Sequence, residues 1–493
     1  MTRRAILAVL AGLAILVGLI LLERPRAGLE IMHMDVGTTP VTVMRQPRAE
    51  APVVIVTHGF AGSRQLMEAY QLTLAQAGYI TVSLDFEGHG RNPVPMSGDV
   101  TAVGPGGTTQ LLMDEIARVT EAALALPGAE PRVVLLGHSM ASDIIVRQAM
   151  RDDRVAGIVG LSVFSQAITE ESPENLLIVN GAWETMLREE ARRVMAGLDA
   201  AEGETVGTPG EGFARRAVAA PLVEHVGILY SPTALREARA WLDATFDREG
   251  GGPVAAIGWP ILLTLFGIVL LARPASALLP SGPAPWAPSR RIFWLLASVP
   301  AIVTPLILAL FETRVLPVLV ADYLALHLAL YGALVLISAA WFGGLPARRG
   351  WIWGLALAAY GLLAFGGVMD RYVASFVPVA GRLPVMALIL PGAILAMLAD
   401  AVLLQAGQAR PWRRWVARLA FLLSLGLAVA LDFERLFFLI IILPVIGLFY
   451  ASFGVMGRWV GQRTGSVLAM GLGLGLVLGW ALGVSFPMFD PSL

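Results

Sequence analysis

The residues Val133-Val134-Leu135-Leu136-Gly137-His138-Ser139-Met140-Ala141-Ser142 could carry nucleophilic chemistry. A short apolar run rich in Val and Leu, closed by Gly137, reads as a buried strand. From Ala141 to about Met150 the apolar positions Ile144, Ile145, Ala149 and Met150 read as a helix. Ser139 therefore falls on a sharp turn between strand and helix. Such a turn raises a hydroxyl at the edge of a sheet and aims the first free helix N–H groups at the same point. Attack on a carbonyl needs both: a presented nucleophile, and donors waiting for the negative oxygen.

Gly137-His138-Ser139-Met140-Ala141 resembles the nucleophile elbow of the α/β-hydrolase superfamily, Gly-x-Ser-x-Gly, with Ala141 in place of the second glycine. The position demands a small residue because strand and helix pack closely there, and one methyl is the least intrusion. The resemblance implies further roles, in chain order. After the strand Val53–Thr57 comes His58-Gly59-Phe60-Ala61-Gly62, and the superfamily's His-Gly loop supplies an oxyanion donor. By resemblance the backbone N–H of Phe60 joins that of Met140, although Gly59 and Gly62 would serve any tight bend. Asp85-Phe86-Glu87-Gly88-His89-Gly90 is similar to the superfamily's Asp-x-x-Gly-His-Gly segment, with Arg91-Asn92 following. His89, in that tight glycine setting, reads as a structural hydrogen-bonding residue rather than a base.

The family's acid lies just beyond a late strand, as Gly-x-x-Asp, and Gly181-Ala182-Trp183-Glu184 matches with Glu for Asp. Glu184 could also simply open the helix Thr185 to Gly197, where an acid favours the dipole; Glu174 and Asp199 are lesser candidates. His225, the only His between the elbow and the apolar second half, occupies the loop before the last helix, as the family's catalytic His does. The order Ser139, Glu184, His225 agrees with the superfamily's order.

These groups need a scaffold. Leu29 to Arg45 alternates around Gly37-Thr38-Thr39-Pro40, the pattern of an antiparallel hairpin. Strand-like runs at 53–57, 78–85, 133–136, 155–161, 176–179 and 215–219 then alternate with helical stretches at Gln65 to Ala77, Leu111 to Leu126, Thr185 to Gly197 and through Trp241-Leu242. This alternation predicts an α/β fold, a doubly wound, mostly parallel sheet with helices on both faces. No large cap fits between Leu161 and Leu176, so the site is expected to be open, or covered by loop 91 to 110 or by the membrane half.

The rest of the chain is different. Of 493 residues 56% are hydrophobic and 15% charged, too apolar for one ordinary soluble protein. The formal net charge is -1 and every basic side chain is Arg, which gives no reason to expect a nucleic-acid partner. There is no Cys, which excludes disulfides and thiol nucleophiles, and the six His residues lack ligand spacing; no metal and no cofactor are expected. Ala5 to Leu22 is an unbroken apolar run after Arg3-Arg4, ending in Glu23-Arg24-Pro25-Arg26; it reads as a retained anchor. Further spans read near 254–272, 292–311, 316–342, 351–369, 384–405, 416–431, 436–456 and 466–486. The expected organisation is a transmembrane anchor at 1–26, an extracytoplasmic domain at 27–250 and an all-α multi-span membrane domain of about eight helices at 251–493.

One set of loops carries Arg3/Arg4, Arg273/Arg290/Arg291, Arg348/Arg349, Arg410/Arg413/Arg414/Arg418 and Arg458/Arg463; the other carries Glu312/Arg314, Asp370/Arg371/Arg382 and Asp432/Glu434/Arg435. Arg in short loops stays cytoplasmic. The N-terminus is then inside, in a bacterial inner membrane, and the soluble domain outside. Asp322, His327 and Asp400 fall within spans and could mark a proton or substrate path, although Asp322 reads as near the outer interface and Asp400 as a partner for Arg410.

Taken with the resemblance, the expected activity is cleavage of an ester, from a small molecule or a lipid, through an acyl-enzyme on Ser139. His225 would be its base and Glu184 the group that orients the base. The competing class is a polytopic transporter or acyltransferase-type protein whose hydrolase-like domain processes cargo or is inactive. Eight additional spans, more than a tether needs, favour that rival.

Overall fold

The computed structural model describes residues 2–48, 50–98, 104, 106–249, 252–311, 318, 320–344 and 349–490. The expected loop charges Glu312, Arg314 and Arg348 lie outside the described residues. The chain folds into two compact units. One comprises Met1–Val17, Leu263–Met369 and Pro378–Phe486; the other comprises Gly18–Leu262, Asp370–Val377 and Pro487–Leu493.

The second unit is built on one nine-stranded sheet: β1 (Glu30–Val36), β2 (Thr39–Arg45), β3 (Ala51–Thr57), β4 (Ile80–Leu84), β5 (Ala129–His138), β6 (Val155–Leu161), β7 (Asn175–Gly181), β8 (Thr205–Gly207) and β9 (Ala214–Ala220). Their spatial order is β1-β2-β4-β3-β5-β6-β7-β9-β8. The six strands from β4 to β9 in that order run parallel, while the β1–β2 hairpin and the short β8 pair antiparallel at the edges. β8 has no apolar run and is not legible in the sequence; it forms because β9 offers an open edge. The residues of β3, β4 and β7 are buried throughout, as runs of Val, Ile and Leu covered on both faces require.

Helix α1 (Arg3–Glu23) precedes the sheet. Within the unit α2 (Glu68–Gln76), α3 (Thr108–Leu124), α4 (Met140–Ala149) and α5 (Thr185–Ala196) lie between strands, and α6 (Pro232–Thr245) follows β9. The helix expected from Gln65 instead opens with a tight 3-10 turn, Arg64–Met67. Both the backbone N–H and the guanidinium of Arg64 are committed to the buried Asp85, at 2.8 and 2.9 Å, which pulls this first turn in. From β3 the chain steps to β4 on one side, then returns to β5 on the other. The crevice between the carboxyl ends of β3 and β5 is thus the switch point, where open α/β sheets place their ligands.

Two short segments distant in sequence complete this unit. Met488 N–H donates to the Gly88 carbonyl at 2.9 Å and Asp490 N–H to the Met96 carbonyl at 2.8 Å, so the C-terminal segment runs beside the loop after β4. The Asp370 carboxylate accepts the N–H groups of Phe376 and Val377 and binds the Arg91 guanidinium at 2.5 Å.

Among the described residues nine helices are long and apolar enough to cross a membrane, judged by length and composition: Arg3–Arg26, Gly258–Ser276, Arg290–Leu308, Ala321–Trp341, Trp351–Tyr372, Ala380–Leu403, Pro411–Leu431, Leu439–Thr464 and Val467–Ser485. They are consistent with an integral membrane protein. In the first unit the last of these packs its glycines against Leu383–Leu403. A Cβ at Gly475 would stand 2.5 Å from Ile394 Cα, and one at Gly471 2.6 Å from Leu398 Cα, so only glycine permits this approach. Asp400 meets Arg418 at 3.5 Å rather than Arg410, because Arg418 lies inside the helix Pro411–Leu431 and reaches inward, over the Tyr450 ring. His327 Nε2 lies 3.0 Å from Ser424 Oγ, so this buried imidazole has a partner on a neighbouring helix.

Candidate active site

Ser139 stands between β5 and α4 at φ 54°, ψ −117°, a conformation costly for a residue with a Cβ. Its N–H donates to the Leu161 carbonyl at 2.9 Å, which ties the turn to the end of β6. Gly137 is obligatory just before it, since a Cβ there would lie 2.8 Å from Thr57 Oγ1 and 3.0 Å from Ile145 Cδ1. Ala141 is fully buried, and its methyl fits where the family's second glycine would stand.

Three sequence-predicted side chains meet here from three different loops. His225 Nε2 lies 2.8 Å from Ser139 Oγ, and its Nδ1 lies 2.6 Å from Glu184 Oε1. Glu184 occupies the turn after β7, with its own N–H on the Gly181 carbonyl at 3.0 Å. Its Oε2 accepts the Gly181 N–H at 2.5 Å and the Ser162 hydroxyl at 2.8 Å. Burial pushes the Glu184 carboxyl up, but the hydrogen bonds from His225, Gly181 and Ser162 outweigh burial and hold it below the usual range. The carboxylate is 6% exposed and His225 46% exposed, so the charge is shielded while the imidazole remains open to a substrate.

The His225 loop is fixed from both ends. Val226 and Gly227 N–H groups donate to the Glu224 carboxylate, each at 2.8 Å. From the other side the His138 Nε2–H donates to the His225 carbonyl at 2.8 Å. Burial first, then the neighbouring His225, depresses the His138 pKa to about 4, so the ring stays neutral and a carbonyl partner requires its proton on Nε2.

The loop after β3 lies against the elbow. A Cβ on Gly59 would come within 2.9 Å of both Ser139 Cβ and His138 Nδ1. Met140 is the first residue of α4, so its N–H has no acceptor within the helix. Phe60 follows Gly59 in the facing loop, its ring against His89 at 5.7 Å and Phe489 at 6.4 Å. His58 is fully buried and holds this loop through both ring nitrogens, Nδ1 on the Gly59 carbonyl at 2.8 Å and Nε2 accepting the Phe86 N–H at 3.1 Å. His89 Nδ1 lies 2.9 Å from the Glu87 carbonyl, a structural bond within its own turn.

The other acid candidates stand elsewhere. Glu174 precedes β7, at the opposite end of the strands from the elbow, and Asp199 lies in a left-handed turn beyond α5. Ser162, His138 and the buried Glu115 escaped sequence reasoning. Glu115 accepts from Thr39 Oγ1, Asn92 Nδ2 and the Glu87 N–H, bracing the loop after β4, and burial pushes it up to about 7. Only a polar residue in an otherwise apolar helical face hinted at it. Among the described residues no group of three or more His, Asp or Glu side chains converges as metal ligands do.

Residues 52–213 match the family model described as alpha/beta hydrolase fold. Together with the sheet order and the elbow, this establishes the sheet-bearing unit as an α/β-hydrolase domain, and the family supports a hydrolase. Similar solved structures include an epoxide hydrolase from Vigna radiata, 21% identical over 28% of this chain and 39% of that one, with a TM-score of 0.22. Potato epoxide hydrolase I is 24% identical over 28% of this chain and 41% of that one, with a TM-score of 0.23. An epoxide hydrolase from an endophytic Streptomyces is 14% identical over 45% and 97%, with a TM-score of 0.33. This chain spans about two-fifths of the length of the first of these. A search of curated proteins returns no match.

Proposed function

We propose that this chain is a membrane-bound serine hydrolase that cleaves esters of apolar acyl groups through an acyl-enzyme on Ser139. The observation that carries the reading is the hydrogen-bonded line from Glu184 Oε1 through both nitrogens of His225 to Ser139 Oγ, at 2.6 and 2.8 Å. A serine hydroxyl is a weak nucleophile until a base takes its proton. His225 Nε2 accepts that proton as Oγ attacks the carbonyl carbon, and Glu184 holds Nδ1–H and balances the imidazolium. The oxyanion is taken up by the Phe60 and Met140 N–H groups. His225 then gives its proton to the leaving alkoxide, the C–O bond breaks, and the acyl group stays on Ser139. Water, deprotonated by His225, releases the acid by the same steps.

An apolar acyl group is favoured by the side chains around this line. Phe164, Trp183, Met186, Leu222 and Val226, all near Ser162, Glu184 or His225 in the chain, are exposed. Exposed apolar side chains carried by the same three loops suit an apolar acyl chain. The Arg-rich alternate loops favour a cytoplasmic N-terminus and an extracytoplasmic hydrolase domain. The test is a fluorophosphonate probe on the full chain in detergent. Wild type should be labelled at Ser139 and turn over medium-chain esters; Ser139→Ala should lose both. Undiminished turnover in S139A would reject the mechanism.

A further inference from the structure

A cavity of about 280 Å³ in the hydrolase unit lies on the β1–β2–β4 side of the sheet, lined by none of the residues proposed for catalysis. Four guanidiniums line it, from Arg26, Arg64, Arg91 and Arg371, against two carboxylates, Glu68 and Asp370. Arg26 is 7% exposed; it is paired with Glu68, yet its Nε has no acceptor, and neither has Nε of Arg91. Arg64 and Arg371 take their countercharges, Asp85 and Glu23, from residues that do not line the cavity. The field is felt by His33 on the wall: burial, then Arg64, Arg371, Arg26 and Arg91 in turn, hold its imidazole below the usual value. Burial pushes the Glu68 carboxyl up, against the opposing pull of its partner Arg26.

Two of the four arginines sit at the ends of apolar helices. Arg26 closes Arg3–Arg26, and Arg371 is next to the last residue of Trp351–Tyr372. Polar ends of membrane-length helices lie at headgroup depth. We propose that this cavity binds a phosphate group, with Arg26 and Arg91 supplying the free N–H donors and Arg64 and Arg371 the remaining positive charge. Guanidiniums match phosphate oxygens in planar, paired hydrogen bonds. The same chemistry is offered by a phospholipid headgroup or by free phosphate.

Native mass spectrometry of the full chain after delipidation separates these. Wild type should retain phosphatidylglycerol in preference to diacylglycerol, and Arg91→Gln/Arg371→Gln should weaken that preference about thirtyfold. Asp370→Asn, which frees Arg91, should move binding the other way by about threefold. Displacement of phosphatidylglycerol by millimolar inorganic phosphate supports the site with free phosphate as its ligand; lipid retained against that competitor supports a headgroup. Equal retention of the two lipids by wild type, or equal phosphatidylglycerol retention by wild type and R91Q/R371Q, overturns the proposal. Unchanged probe labelling of Ser139 in these variants shows that they are folded, and the readout does not depend on turnover.

Discussion

The imidazole of His138 donates from Nε2 to the main-chain carbonyl of His225 at 2.8 Å, so the residue beside the elbow serine grips the loop that carries the neighbouring imidazole. The two rings lie 4.9 Å apart. With the Glu224 carboxylate on the Val226 and Gly227 N–H groups, this bond fixes where the His225 imidazole stands relative to Ser139.

The His138 grip has an acid cost. Its pKa is depressed from 6.5 to about 4 in the fold. Between those values the unfolded chain binds more protons, so stability is fully present above about pH 6.5 and is lost as pH falls toward 4, by up to ~3 kcal/mol. Glu68 and Glu115, both raised to about 7, act in the opposite sense. They are common to wild type and His138→Gln, so they cancel in a comparison. Thermal melts at pH 7 and 4.5 should show a smaller acid loss in H138Q; identical losses would remove this role.

Glu184→Gln keeps the size of the side chain but replaces an acceptor carboxylate by an amide. The His225 Nδ1–H then loses its charged partner. Turnover should fall about 10³- to 10⁴-fold, as when such an acid is neutralised elsewhere, while the protein melts close to wild type. A loss below tenfold in steady-state kcat would show that Glu184 only opens its helix.

Ser162→Ala removes one of the donors that hold the Glu184 carboxyl low. The carboxyl should rise, and the acid limb of the rate profile should move to higher pH. A hydrogen bond to a charged group contributes ~1.5 kcal/mol, so kcat should fall about tenfold with KM unchanged. A pH profile that does not move would make Ser162 merely structural.

Gly59→Ala tests the approach of the two loops. The added Cβ meets Ser139 Cβ and His138 Nδ1 at 2.9 Å, so the Phe60 N–H must retreat. Loss of one oxyanion donor costs about 10² to 10³ in rate. Kinetics with KM near wild type and kcat reduced by that factor are expected; wild-type kcat would place the donor elsewhere.

Local chemistry was enough to determine much of this protein. Apolar runs of the right length and the glycines around them read directly as strands, turns and membrane-length helices, because each depends on neighbours in the chain. The elbow at Ser139 was legible for the same reason, as were Glu184 and His225 once chain order was compared with the family's. Only tertiary structure decided what brings His225 within 2.6 Å of Glu184 and 2.8 Å of Ser139. It also enlisted Ser162 and His138, and set Asp370 against Arg91 across 279 positions. Those contacts depend on which strands become neighbours in the sheet. That choice is made by burial over the whole unit, and no local spacing records it.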